Sequence, residues 1–247
     1  MLNSFFRENP RFALCFSGGT DSSYLLYAAL KAGVQVHAYY AYTELQPEFE
    51  TEDAKRLAGD LGAPLTIIRC SVLSLREVSE NGPLRCYFCK RAILREIRSA
   101  ALKDGFSVLA DGCNASDDPA DRPGMRAAAE FEVRSPLREA GLTKAEVRRL
   151  SREAGLFTAD KPAYSCLATR LVGVGLDAAL LGRVERGENK LMALGFTDFR
   201  LRTDGVGAFL ELPAGQLEKA EGMKDRLQTL LGNDFSGLSL RIRKKSE

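Results

Sequence analysis

Short apolar runs and amphipathic stretches alternate through the first two thirds of the chain. Phe12 to Phe16, Val34 to Tyr40, Leu65 to Arg69 and Ser107 to Ala110 are strand-like. Helical patterns lie between and after them: Ser22 to Ala32, Glu48 to Leu61, Cys89 to Lys103, and Thr143 to Ala154, the last with Glu146 as capping-box partner. Parallel strands cannot be joined by tight turns, so this alternation predicts a parallel sheet with crossover helices. After about residue 170 the pattern changes. Asp177 to Leu194 carries Leu180, Val184, Leu191 and Leu194 on one helical stripe. Strand-like runs follow around Phe199 to Arg202 and Val206 to Leu212, then a helix over Ala214 to Leu230 and a last strand at Leu238 to Ile242. The expectation is an α/β chain in two parts, a sheet-and-helix domain over 1–170 and a small α+β domain over 171–247.

Composition narrows the class without changing this outline. Of 247 residues, 45% are hydrophobic and 28% charged, enough to bury a core and to exclude disorder. Lys plus Arg number 35 against 33 Asp plus Glu, and a net charge of +2 argues against a nucleic-acid partner. No apolar run approaches the ~20 residues that cross a bilayer. The start, MLNSFFRENPRF, lacks the apolar centre of a signal peptide. A cytoplasmic protein without membrane contact is expected. The single histidine, His37, lies in the strand-like run VQVHAYY and reads as structural.

The most specific motif is Ser17-Gly18-Gly19-Thr20-Asp21-Ser22-Ser23, between the first strand and the first helix. Two glycines let the backbone turn and aim N–H groups at an anion, the helix N-terminus adds positive potential, and Ser22 and Ser23 offer hydroxyls. No Gly-Lys-Ser/Thr ending follows, so the loop is not of the Walker type. It resembles the PP-loop of the ATP pyrophosphatase superfamily, whose members split ATP between the α and β phosphates and leave AMP on a substrate. That resemblance implies that Ser17, Gly18, Gly19, Asp21, Ser22 and Ser23 hold phosphates and that Asp21 is also a magnesium ligand. Asp111 and Asn114, after the strand ending at Ala110, are expected neighbours of ATP or magnesium, because ligands bind at strand C-termini in open sheets.

Six cysteines, Cys15, Cys70, Cys86, Cys89, Cys113 and Cys166, are too irregular for a disulfide framework. Cys15 and Cys70 lie on strand-like runs and read as small buried hydrophobes. Cys86 and Cys89, in Arg85-Cys-Tyr-Phe-Cys-Lys90 at a helix entrance, are candidate thiolates. Cys166 sits in the loop Lys161-Pro-Ala-Tyr-Ser-Cys-Leu-Ala-Thr-Arg170. From the residues alone these thiols fit zinc with Cys113, a [4Fe–4S] cluster on three thiolates, or persulfide and disulfide traffic.

In order behind SGGTDSS come RCYFCK, DGCNASDDPADRPG (Asp111 to Gly124), RSPL (Arg134 to Leu137), GLTKAEVRRLSREAGL and DKPAYSCLATR. Together they resemble the LarE-type sulfur transferases from about Phe12 to Arg170, and more loosely beyond. The resemblance implies nickel-pincer cofactor biosynthesis. ATP adenylates a carboxylate of pyridinium-3,5-biscarboxylic acid mononucleotide, pyrophosphate leaves, and sulfur displaces AMP to give a thiocarboxylate. Members with one cysteine, matching Cys166, sacrifice its sulfur and become dehydroalanine. Those with three, matching Cys86, Cys89 and Cys166, carry a [4Fe–4S] cluster fed by sulfide or another sulfur donor, which is the expectation here. The resemblance also implies substrate contacts from Glu188, Arg200, Arg202 and Glu211, and a homo-oligomer. Arg200 and Arg202 fall on one strand face by period-two alternation. The basic run Arg241-Ile-Arg-Lys-Lys245 departs from the family's acidic ending and reads as solvated. A transfer-RNA thiolase, an amidating synthetase and a non-catalytic nucleotide- or cluster-binding protein are the competing readings.

Overall fold

A computed structural model of the protein describes residues 2–118 and 123–243. Pro119 to Arg122, inside the Asp111-to-Gly124 motif, and Lys244 and Lys245 of the basic run lie outside the described residues. In chain order the elements are α1 (Leu2–Glu8), β1 (Arg11–Phe16), α2 (Thr20–Lys31), β2 (Gln35–Tyr42), α3 (Glu48–Asp60), β3 (Leu65–Arg69), α4 (Arg76–Ser79), α5 (Arg85–Lys103) and β4 (Leu109–Ala110). These are followed by α6 (Pro123–Glu130), α7 (Pro136–Glu139), α8 (Lys144–Glu153), α9 (Ala178–Ala193), β5 (Arg200–Thr203), β6 (Ala208–Leu212), α10 (Ala214–Gly222), α11 (Lys224–Leu231) and β7 (Leu238–Ile242). No described helix is long and apolar enough to cross a membrane.

The chain divides into two compact units, Met1–Val72 with Pro83–Lys161, and Leu73–Gly82 with Pro162–Glu247. In the first, four parallel strands run in the order β3-β2-β1-β4. The register pairs Phe12 with Val36, Leu14 with Ala38 and Phe16 with Tyr40. That face packs on Leu25, Leu26 and Ala29 of α2, Val147 of α8 and Phe5 and Phe6 of α1. Burying each large side chain contributes ~1.5–3 kcal/mol. Residues of the other parity, His37 and Tyr39, meet the end of α5: Tyr39 donates to Asp104 at 2.7 Å and His37 stacks on Tyr39. His37 bonds Thr66 Oγ1 at 2.8 Å, and burial lowers its pKa, both consistent with a structural role.

The second unit has the sheet order β5-β6-β7, antiparallel then parallel. Leu181, Val184 and Leu191 of α9, with Leu201, Leu210, Leu212, Leu227 and Leu231, form its interior. Asp177 caps α9 by accepting from the N–H groups of Ala179 and Leu180 at 2.7 and 3.1 Å. Asn81 donates to the carbonyls of Leu171 and Val174, which fastens the Leu73–Gly82 segment inside this unit.

Several elements differ from the sequence pattern. α5 begins at Arg85, before the expected Cys89, so both thiols of the CxxC pair lie within its first turns. The helix expected over Ala214 to Leu230 is two helices, because Met223 leaves helical geometry with φ −114° and ψ 11°. β4 contracts to two residues. α1, α4, α6 and α7, of seven, four, eight and four residues, are too short to carry a clear apolar period.

Candidate active site

The strand order reverses direction between β1 and β4, which are both neighbours at the sheet's switch point and end in loops at its carboxyl edge. The first loop is Ser17 to Gly19, and α2 starts there with no side-chain cap. Its first-turn N–H groups are therefore available to an anion. Gly18 has φ +68°, and a Cβ there would stand 3.0 Å from Ala54 Cβ of α3. The second loop brings Gly112 so close to α2 that a Cβ would fall 2.6 Å from the Ser22 nitrogen. Both glycines are set by close approach, and neither position admits a side chain without displacing backbone.

Within the cradle, Ser17 Oγ and Ser22 Oγ are 2.9 Å apart. Ser23 is fully buried, and its hydroxyl has no hydrogen-bond partner among the described residues. Asp21 is held by two donors, the ammonium of Lys144 at 2.5 Å and the amide of Asn114 at 3.3 Å. Lys144 is delivered by the start of α8, where Thr143 and Glu146 form the expected capping box. Asp111 is also fully engaged: Oδ1 accepts from Ser135 Oγ at 2.8 Å and Cys113 N at 3.1 Å, and Oδ2 faces Cys113 Sγ at 3.2 Å. Beside Asp111 opens a cleft of about 610 Å³, lined among others by Lys90, Cys113, Met125, Ser135 and Arg138.

The cysteines fall into two groups. Cys15 and Cys70 are buried; burial pushes the Cys15 thiol up to about 11 and raises that of Cys70. Burial and the adjacent Asp111 charge likewise push Cys113 up to about 12, so it is a thiol at neutral pH. Cys86 is exposed, with the Arg85 guanidinium 3.4 Å from its sulfur, and Cys89 lies one turn further along α5. Among the described residues, no group of three or more His, Cys, Asp or Glu side chains is arranged to hold a metal. Cys166 belongs to the second unit, where it precedes a 3-10 turn at Leu167–Arg170 and its carbonyl accepts from Thr169 N and Oγ1 at 3.0 and 2.9 Å.

The Cys166 loop is fixed by a buried ion pair. Arg170, 1% exposed, donates to Glu188 of α9 at 2.8 Å, to Ser165 O and Oγ at 2.9 and 2.7 Å, and to Thr169 Oγ1 at 2.9 Å. Burial opposes the guanidinium charge, and Glu188 more than offsets it. Glu188 also receives Leu201 N–H and the Tyr164 hydroxyl, so both of its oxygens are used. Arg202 pairs with Glu211 at 2.8 Å and donates to Thr169 O at 2.8 Å. Arg200 shares its strand face, and burial followed by repulsion from Arg170, Arg202 and Arg243 lowers its pKa. An anion placed there relieves that repulsion.

Lys144, Gly112, Ser135 and Arg170 are the residues of these surroundings that sequence reading did not single out. All four lie inside the quoted motifs, Arg170 as the cation that ends the Cys166 loop, but none was given a role of its own.

A parallel sheet with an uncapped Gly-rich loop at its switch point defines an α/β protein of the PP-loop ATP pyrophosphatase fold. No family model matches the chain. It is 31% identical over 228 residues to pyridinium-3,5-bisthiocarboxylic acid mononucleotide synthase of Lactiplantibacillus plantarum, covering 91% of this chain and 83% of that protein. An uncharacterised protein of Synechocystis sp. is 35% identical over 222 residues, 88% of this chain and 82% of the relative. An uncharacterised Methanocaldococcus jannaschii protein is 27% identical over 163 residues, 66% of this chain and 62% of the relative. The chain belongs to the LarE family.

Proposed function

We propose that this enzyme is an ATP-dependent sulfur transferase that converts carboxylates of pyridinium-3,5-biscarboxylic acid mononucleotide to thiocarboxylates for nickel-pincer cofactor biosynthesis. The observation that carries the reading is the uncapped start of α2 at the switch point, in a chain that aligns over 91% of its length with a synthase of the bisthiocarboxylic product. In the first step the substrate carboxylate attacks the α phosphate and pyrophosphate leaves. Ser17, Gly18, Gly19, Ser22 and Ser23 hold the phosphates, with Asp111 and Asn114 bracing the cradle. Magnesium, when bound, neutralises the leaving pyrophosphate. Asp21 would hold it, and Lys144, which pairs with that carboxylate, would then turn its ammonium toward the phosphates. In the second step a sulfur nucleophile attacks the acyl carbon and the C–O bond to AMP breaks. Arg200 and Arg202 bind the mononucleotide phosphate, and Glu188 and Glu211 keep the Cys166 loop and Arg202 in place.

The sulfur source has two forms. A [4Fe–4S] cluster on Cys86, Cys89 and Cys166 draws support from the one-turn spacing of the first two. Among the described residues these three thiols are not gathered into a metal-holding group. In the sacrificial form the Cys166 thiolate forms a thioester with loss of AMP. Removal of its Cα proton then breaks the Cβ–S bond, leaving a thiocarboxylate and dehydroalanine. We further propose a homo-oligomer, read by sedimentation.

The test measures pyrophosphate release and thiocarboxylate formation with ATP and the dicarboxylate, alongside iron and sulfide in anaerobically purified wild type and Cys86→Ala. About four irons per chain, lost in the variant, establishes the cluster form. An iron-free protein whose Cys166 loses its sulfur mass on turnover establishes the sacrificial one. Absence of substrate-dependent pyrophosphate release overturns the reading.

A further inference from the structure

The segment Phe157–Lys161 closes the first unit, and Cys166 follows it in the chain. Three helices around the proposed nucleotide site, α2, α3 and α8, also grip this segment. From α2, the Thr20 hydroxyl donates to Thr158 O at 2.8 Å, beside Asp21. From α8, whose first residue Lys144 pairs with Asp21, the Arg148 guanidinium donates to the carbonyls of Ala159 and Lys161 at 2.9 and 3.0 Å. From α3, whose Ala54 abuts Gly18, Glu50 and Asp53 meet the Lys161 ammonium at 3.2 and 2.7 Å. The side chains of Lys161 and Glu50 are only 13% exposed. Burial raises the pKa of Glu50 and Lys161 opposes it, so the ammonium is what lets two carboxylates share this site.

A solvated lysine at a chain exit needs no such arrangement. Two carboxylates around one buried ammonium, backed by bonds to the carbonyls of Thr158, Ala159 and Lys161, fix where the chain leaves the first unit. The next residue, Pro162, has a locked φ, which narrows the turns the chain can make after Lys161. We propose that Lys161 is a positioning residue for sulfur transfer: through Glu50 and Asp53 it sets the departure of the Cys166 loop from the same helices that form the phosphate cradle. This rests on the sulfur-transferase reading and adds a residue to it. Lys161 is engaged by Glu50 and Asp53 and is not among the residues assigned to the phosphates, so its loss uncouples the two half-reactions and leaves the first intact.

The experiment compares wild type, Lys161→Met, Lys161→Arg and the double variant Lys161→Met/Glu50→Gln, each verified as folded by thermal melting with and without ATP. Two rates are read: substrate-dependent pyrophosphate release, and thiocarboxylate formed per pyrophosphate released. The expected result is pyrophosphate release within about threefold of wild type and at least a tenfold lower thiocarboxylate yield in Lys161→Met. Lys161→Arg, which keeps the charge, recovers most of the yield. The double variant relieves the buried charge imbalance and restores the melting temperature without the yield, which separates positioning from stability. A yield equal to wild type in a folded Lys161→Met or double variant overturns the inference. Wild type that releases no pyrophosphate overturns instead the reading on which it stands.

Discussion

In the first unit the groups proposed to face a phosphate are backbone N–H groups at the uncapped start of α2, whereas in the second they are guanidinium groups on β5. The first cradle owes its shape to what is missing, since a Cβ at Gly112 would fall 2.6 Å from Ser22 N. The second owes its shape to charges held against one another, with Arg202 tied to Glu211 and the adjoining Arg170 buried on Glu188. Backbone donors need no counter-charge and are scarcely screened by salt; clustered arginines gain from an anion but must be held against their own repulsion. The comparison therefore predicts different vulnerabilities, steric in one unit and electrostatic in the other.

The largest expected effect strikes the second unit. Glu188→Ala leaves the Arg170 charge buried and unpaired, and costs about 3–5 kcal/mol. Chemical denaturation measures it, and a double variant Arg170→Met/Glu188→Leu regains much of the loss if the pair itself, and not the packing, is responsible. Next, Gly112→Ala drives a methyl into the start of α2 and weakens ATP binding about tenfold, ~1.4 kcal/mol, by calorimetric titration; equal affinity would break the steric side of the comparison. Smaller again, Arg200→Ala raises the substrate KM roughly fivefold with kcat nearly unchanged, as loss of uniform binding requires. Raising salt from 50 to 300 mM reproduces much of that rise in wild type and little of it in the variant, while ATP binding shifts less.

The smallest effect is a pH dependence confined to the first unit. Burial holds the folded-state pKa of His37 below its ordinary value, so between the two the unfolded chain binds more protons. The stabilising contribution is therefore complete above the ordinary histidine pKa and is lost as pH falls from there through the lowered folded-state value. Urea midpoints between pH 7.5 and 5.5 decline more in wild type than in His37→Gln.

Local chemistry made much of this architecture readable before any coordinates. The Thr143–Glu146 capping box is decided by residues three apart, and the α9 stripe by one face of one helix. The same stripe held an overlooked signal, since Glu188 lies four residues after Val184 and three before Leu191, on the apolar face of α9, where a carboxylate demands a buried partner. The residues that escaped attention are those whose meaning is set far along the chain. Lys144 gains its role from Asp21, Lys161 from Glu50 and Asp53, and Gly112 from the backbone of α2. The split of α10 from α11 at Met223 had a signal that was passed over: Gly222, the last residue of α10, precedes the residue that leaves helical geometry, and a glycine inside a helical pattern weakens it there.

The interrupted composition of the second unit bears on how the molecule is made. Because Leu73–Gly82 emerges from the ribosome long before Pro162–Glu247, and is fastened by Asn81 to Leu171 and Val174, it must wait for its partners. During synthesis the early unit assembles around an unfinished loop, and a chain released before residue 171 exposes that loop to proteases. A single cut between Lys161 and Pro162 leaves Pro162–Glu247 covalently separate, held only by its packing on Leu73–Gly82, where Asn81 bonds Leu171 and Val174.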